Sequence, residues 1–372
     1  MTLVDKAAGG EEIFFVLLPT LECNLRCTYC FEEHPGGRWD IAATRTVLTA
    51  IFTFLAEKGL SASRLHWQGG EPLLMGQAYW QAVLPMAAEL AARHGVRLVQ
   101  SMQTNLTLYD AAFGPLARQF LAGVLGTSFE PAGLRLGVAG GASAFTRQWR
   151  RAHEAARADG LEVGVLSLLT EAALRQGAAA YLNELRETHG IRRLRLTLPF
   201  RQTGQGFWLD AEAAGDFLAV AYDLWYGRGG DDWLEIRPFE HLTARLRNQV
   251  PRSAGLCMFS RNCADISLAI LPTGEVTLCD NFAGPGEASS GYGNVFRQSL
   301  GEIHAGAGRA AIRRQVAGLL TDQCAACRYL GFCFGGCLAR ARSTMAGTAG
   351  YHYCDTHRRL FRAIEERAVR GG

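Results

Sequence analysis

The chain has 372 residues, 48% of them hydrophobic and 20% charged, with a formal net charge of +3. That length suits one large barrel or two domains, and a charge so small and so dispersed excludes a nucleic-acid footprint. The opening MTLVDKAAGG has no basic segment leading into an apolar stretch, and no run approaches the ~20 apolar residues that cross a bilayer, so a cytoplasmic protein without a membrane partner is expected.

From about residue 10 to 230, short β-rich runs alternate with helical patterns. The first strand is IFFVLL at 13–18, and three cysteines follow it in LECNLRCTYCFEEH. A helix is expected at 41–58, a second strand at 64–69, and directly after it HWQGGEP. A helix at 77–94 leads to a third strand at 96–104, which ends in QTN. Strands at 123–130, 161–170 and 192–200 alternate with helices at 145–159 and 211–226. Apolar residues at helical spacing between strands imply parallel pairing with right-handed crossovers. The expected fold is therefore α/β, a partial (β/α)6 TIM-like barrel open on one side. Loops leaving the C-terminal ends of such strands build the site, so the cysteine loop, QGGEP and QTN converge on one mouth.

After about residue 250 the character changes. Eight of the eleven cysteines lie between Cys257 and Cys354, among hairpin-like pieces such as ISLAILPTGEVTLCD. The expected domains are 1–235 for the barrel and 236–372 for a cysteine-rich extension. Disulfides are disfavoured in a cytosolic chain and an odd count cannot pair completely, so metal or redox chemistry is the better reading. Lys6 and Lys58 are the only lysines, which reflects arginine-biased composition before it suggests carboxylate or phosphate recognition.

Cys23, Cys27 and Cys30 form C-x3-C-x2-C. Soft thiolates suit iron–sulfur clusters or zinc, and a closed zinc site would want a fourth ligand such as His34. With the aromatic Tyr29 in CTYC, the stretch resembles the radical S-adenosylmethionine superfamily. The resemblance implies that Cys23, Cys27 and Cys30 hold a 4Fe-4S cluster whose fourth iron is chelated by S-adenosylmethionine, which is cleaved to a 5′-deoxyadenosyl radical. It implies cofactor contacts from Gln68, Gly69, Gly70, Glu71 and Pro72, with Glu71 offering an anionic acceptor to the methionine ammonium. Gln103 and Asn105 of QTN match the third-strand motif, although Leu106 stands where the family usually has glycine. Ser128 matches the fourth-strand serine. The family's Ser-x-Asp-Gly-Pro stretch is SFEPAG here, with Glu130 in the aspartate's place and Arg135 as a candidate carboxylate clamp.

The remaining cysteines resemble the SPASM extension of these enzymes, including Gly274 in its C-x(9–15)-G-x4-C segment. The resemblance implies two auxiliary 4Fe-4S clusters, one held by Cys257, Cys263, Cys279 and Cys337, the other by Cys324, Cys327, Cys333 and Cys354. Two zinc sites would satisfy the same spacing. Asp280, beside Cys279, resembles the aspartate that accepts a proton in anaerobic sulfatase-maturating enzymes, whereas an Asx turn is its structural alternative.

The expected activity is oxidation or thioether or carbon–carbon crosslinking at a side-chain carbon of a ribosomally made peptide. Sulfatase maturation and dehydrogenation of a small molecule are the alternatives. SFEPAG, QTNL and the acidic CFEEH, where sulfatase maturases commonly show a second aromatic, favour a peptide maturase. An electron donor such as flavodoxin or ferredoxin is expected. With the first strand near residue 13, leader recognition is expected from a separate protein or from the barrel surface.

Overall fold

The computed structural model describes residues 12–32, 34, 36–137, 141–199, 208–249, 259, 263–283, 291–344 and 351–369. Seven parallel strands form an arc, β1 (Ile13–Leu17), β2 (Ala62–Trp67), β3 (Arg97–Met102), β4 (Val124–Ser128), β5 (Glu162–Leu168), β6 (Arg193–Thr197) and β7 (Glu235–Arg237). Pairing runs β1–β2–β3 in one sheet and β4–β5–β6–β7 in the other. A parallel bridge between Gln103 and Gly126 joins the two. All six strands read from the sequence are present, and β7 adds a short seventh.

Helices cover the outer face: α1 (Ile41–Glu57), α2 (Gln77–Arg93), α3 (Gly114–Phe120), α4 (Gly141–Ala158), α5 (Glu171–Gln176), α6 (Ala178–Asn183), α7 (Ala211–Gly227) and α8 (Phe239–Leu246). Their starts are locally encoded. Asp40 accepts a 2.7 Å hydrogen bond from the Ala43 N–H, and Asp210 caps α7 through Ala213 in the same way. Helix α1 then buries Val47, Leu48, Ile51, Phe52 and Leu55, a 3.6-residue stripe. Trp67 of β2 meets Trp80 of α2 edge to face at 5.3 Å, and its indole N–H is satisfied by Gln100 at 3.0 Å. Odd positions of β2 therefore face the helices and even positions, Arg64 and His66, face the barrel interior.

The cysteine-rich segment is woven into this sheet. After the short helix α9 (Cys263–Ile266), β8 (Ser267–Ile270) pairs parallel to β1, then turns into antiparallel β9 (Glu275–Thr277) and β10 (Gly293–Asn294). Gly274 makes that turn with φ +82°, and a Cβ there would stand 2.3 Å from the Phe296 ring. This is a physical reason for the fixed glycine ahead of Cys279. Helices α10 (Leu300–Ala305), α11 (Ala307–Ala317), α12 (Asp322–Ala325), α13 (Leu330–Cys333), α14 (Leu338–Thr344) and α15 (Cys354–Ile364) follow. Helix α15 lies along α7: Thr356 donates to the Ala211 carbonyl at 2.6 Å, and Arg359 pairs with Glu212 and Asp216. From α14, Arg340 donates to Thr197 Oγ1 and the Leu198 carbonyl at the C-terminal end of β6.

Candidate functional site

Three loops meet where the sequence placed the mouth. The loop after β2 is hydrogen-bonded to the cysteine loop along its length, Gly70 N–H to Thr20 O at 3.0 Å and Glu71 N–H to Glu22 O at 2.8 Å. A Cβ on Gly69 would lie 2.1 Å from Thr20 O, and one on Gly70 2.3 Å from Glu22 O. Two adjacent glycines are thus required for the loops to touch, apart from any contact with a ligand. Glu71 is fully buried, and burial lifts its carboxyl to about 7 against the pull of its hydrogen bonds. Its oxygens accept from Thr104 Oγ1 at 2.6 Å, Asn105 N–H at 2.6 Å and Leu73 N–H at 2.9 Å. Glu71 therefore ties QGGEP to QTN. Pro72 opens the one-turn helix that follows. Asn105 in turn donates to Asn24 at 2.8 Å and toward Cys23 Sγ at 3.8 Å.

Cys23, Cys27 and Cys30 are half-buried thiols. Burial, reinforced by the other two sulfurs, pushes Cys23 up to about 12, and burial with Cys27 pushes Cys30 up to about 11. Burial also raises Cys27, partly opposed by Arg135. Three thiols that repel one another as anions need a compensating cation, which iron would supply. His34 turns its ring nitrogens to Leu21 O at 2.9 Å and to Cys30 Sγ at 3.6 Å. Tyr29 donates to Glu130 at 2.5 Å, and Glu130 pairs with Arg135 at 2.9 Å. Across the mouth, Gln103 donates to Ser128 Oγ at 2.8 Å. On the interior face beside them, a Cβ on Gly164 would meet nothing within 4 Å.

Asp280 reaches this mouth from the other side of β1. Gln68 donates to its Oδ2 at 2.9 Å. Burial raises the Asp280 carboxyl, while the Gln68 bond and the Arg195 charge hold it down. Glu32 is buried and pushed up to about 8 by burial and then by Asp280, and its Oε2 has no hydrogen-bond partner. His66 donates or accepts with Ser101 at 2.8 Å, and burial lowers it to about 4. Thr104, Arg195 and Glu32 were not assigned roles from sequence. Thr104 stands inside QTN, and Arg195 occupies an interior-facing position of the strand expected at 192–200.

Of the auxiliary cysteines, Cys257 lies outside the described residues. Cys324, Cys327, Cys333 and Cys354 line one cavity of about 1190 Å³ with Trp208, Tyr351 and His352. Burial pushes Cys333 up to about 11, and the Cys354, Cys324 and Cys327 sulfurs add to it. Cys263 and Cys279 flank the buried Tyr292 hydroxyl, and Cys337 and Cys333 flank Tyr351. Buried Arg309 pins the Cys263 turn through Ala264 O at 3.0 Å and Asp265 at 2.9 Å. None of the ten described cysteines is in a disulfide. Among the described residues no three His, Cys, Asp or Glu side chains lie close enough to share a single metal ion. Sets made of thiols alone are the soft donors that iron–sulfur clusters take, and with the three thiols of the first loop they fit such clusters.

Residues 257–328 match the SPASM iron–sulfur cluster-binding domain. The chain is 25% identical over 338 residues to a serine-type anaerobic sulfatase-maturating enzyme of Klebsiella aerogenes, covering 85% of this chain and 77% of that one. Among solved structures it is similar to native anSMEcpe with bound AdoMet and Cp18Cys peptide, with TM-score 0.81, 19% identity and coverage of 97% and 98%. It is also similar to Streptococcus suis SuiB bound to precursor peptide SuiA, with TM-score 0.64, 15% identity and coverage of 93% and 76%. A parallel α/β barrel with thiols at its mouth and a cysteine-rich extension is the fold this chain shares with these structures. The chain is thus similar over most of its length to an anaerobic sulfatase-maturating enzyme, and it carries a SPASM iron–sulfur cluster-binding domain at residues 257–328. Among its described residues no helix is long and apolar enough to cross a membrane.

Proposed function

We propose that this enzyme is a peptide maturase that removes hydrogen from a side-chain carbon of a ribosomally made peptide and leaves an oxidised or crosslinked residue. In this reading residues 1–235 form the radical-generating barrel and 236–372 the auxiliary domain. Cys23, Cys27 and Cys30 hold one 4Fe-4S cluster. Cys257, Cys263, Cys279 and Cys337 hold a second, and Cys324, Cys327, Cys333 and Cys354 a third. When bound, S-adenosylmethionine and the clusters supply a 5′-deoxyadenosyl radical and an acceptor for the electron that the substrate radical must lose.

The chain's own residues do the rest. Tyr29, Gln68, Gly69, Gly70, Glu71, Pro72, Gln103, Asn105, Ser128 and Arg135 shape the cofactor's seat. Asp280 takes the proton released as the substrate is oxidised, and Gln68 fixes the carboxylate's direction. The observation that carries this is the 2.9 Å bond from Gln68 to Asp280, which puts a desolvated carboxylate at the mouth shared with the cysteine loop. That both similar structures were solved with peptides supports a peptide substrate. The sulfatase-maturase likeness supports a second reading, oxidation of Ser or Cys to formylglycine. Glu32, buried beside Asp280 where sulfatase maturases commonly have an aromatic, favours the first. A flavodoxin or ferredoxin would deliver the first electron.

The test is anaerobic turnover with S-adenosylmethionine and short peptides from neighbouring reading frames. Peptide-stimulated 5′-deoxyadenosine with a two-hydrogen mass loss supports the proposal. Stimulation only by a sugar or free amino acid contradicts it.

A further inference from the structure

The segment after β4 folds back onto the cysteine loop through a buried trio. Arg135 is 8% exposed and Glu130 3%. Glu130 holds Arg135 at 2.9 Å and receives the Tyr29 hydroxyl at 2.5 Å. Backbone bonds clip the two segments on either side of Cys27, Arg26 N–H to Leu136 O at 2.8 Å and Thr28 N–H to Leu134 O at 2.9 Å. The guanidinium lies 5.3 Å from the Tyr29 ring centre and 5.9 Å from that of Phe145. Its Nη1 points at Cys27 Sγ from 3.9 Å.

A buried ion pair costs desolvation that its attraction only just returns, so its placement at a sulfur invites a functional reason. The pair is neutral overall but not symmetric about Cys27. The guanidinium faces Cys27 Sγ directly, whereas the Glu130 oxygens are engaged by Arg135 itself and by the Tyr29 hydroxyl. An N–H and a net positive potential at a ligand sulfur stabilise the more negative, reduced state of any cluster bound there.

We propose that Arg135 is a tuning residue that raises the reduction potential of the cluster held by Cys23, Cys27 and Cys30, with Glu130 as its anchor and counterweight. This rests on the reading that the first loop binds a 4Fe-4S cluster. Opposite signs follow for two substitutions in one ion pair. Removing the arginine charge lowers the potential, whereas removing the glutamate charge raises it. A purely structural brace would move both variants in the same direction or neither.

The experiment is an EPR-monitored redox titration of the anaerobically reconstituted full chain, following the signal that changes when S-adenosylmethionine is added. The potential is expected to fall in Arg135→Gln, rise in Glu130→Gln and stay nearest wild type in Arg135→Lys. Unmoved potentials in the first two, or shifts of the same sign, overturn the proposal. If Arg135→Gln holds no iron at the first loop, the other two variants decide. Glu130→Gln must rise and Arg135→Lys must deviate less. Iron content judges the underlying reading separately, since wild-type iron that survives Cys27→Ala undiminished removes the cluster and not only its tuning.

Discussion

Gln68, at the end of β2, donates a 2.9 Å hydrogen bond to Asp280, which follows the last residues of the β8–β9 hairpin. The two residues are 212 positions apart, and the bond links the barrel to the cysteine-rich segment at the mouth. Asp280→Asn keeps the shape and removes the proposed base. Product formation should fall about 10²–10⁴-fold while 5′-deoxyadenosine continues to form. Liquid chromatography with mass detection of both products checks it, and full turnover in the variant would exclude a proton-accepting role.

Gly70→Ala places a methyl 2.3 Å from Glu22 O, a backbone atom that cannot yield without moving the cysteine loop. Loss of more than about 4 kcal/mol or failure to fold is expected. Gly164→Ala, with open space around the added carbon, should stay within about 1 kcal/mol of the parent. Denaturant melts followed by circular dichroism compare the two.

Arg340 anchors α14 to the end of β6 with bonds of 2.9 Å to Thr197 Oγ1 and 3.0 Å to Leu198 O. Arg340→Ala should cost about 1.5–3 kcal/mol, as expected for hydrogen bonds to a charged donor. Amide exchange in α14 should rise while that of β2 and β3 is unchanged.

His153 lies flat against Trp149 at 4.8 Å, and burial, then Arg157 and His189, depress it to about 4. A depressed histidine must gain a proton on unfolding in acid. Its contribution is therefore complete above pH 6.5 and disappears as pH falls toward 4, at most about 3 kcal/mol. His153→Gln should flatten the stability profile across that window. A slope equal to the parent's would contradict the assignment.

Much of this was legible in the sequence because it is local. The strands alternate with amphipathic helices at spacings that a parallel barrel imposes, and the three cysteines of the first loop lie within eight positions. The two glycines of QGGEP were legible as a need for close approach, but not what approaches, since Thr20 and Glu22 come from another strand's loop. Glu71 looked like an open anion, whereas Thr104, Asn105 and Leu73 already engage it. The pairing of β8 with β1 was not legible either, because register between segments 250 residues apart leaves no periodic trace. Arg135 beside Glu130 needed a fold in the chain that sequence spacing does not encode.

The central claim is that three thiols on the first loop hold a cluster separate from those of the C-terminal segment. Iron per chain after anaerobic reconstitution, measured with 5′-deoxyadenosine output, tests it most directly. About twelve irons are expected for the parent and about eight for the Cys23→Ala, Cys27→Ala, Cys30→Ala chain, which should make no 5′-deoxyadenosine. An iron-free, zinc-loaded parent, or a triple variant that still cleaves S-adenosylmethionine, would contradict it.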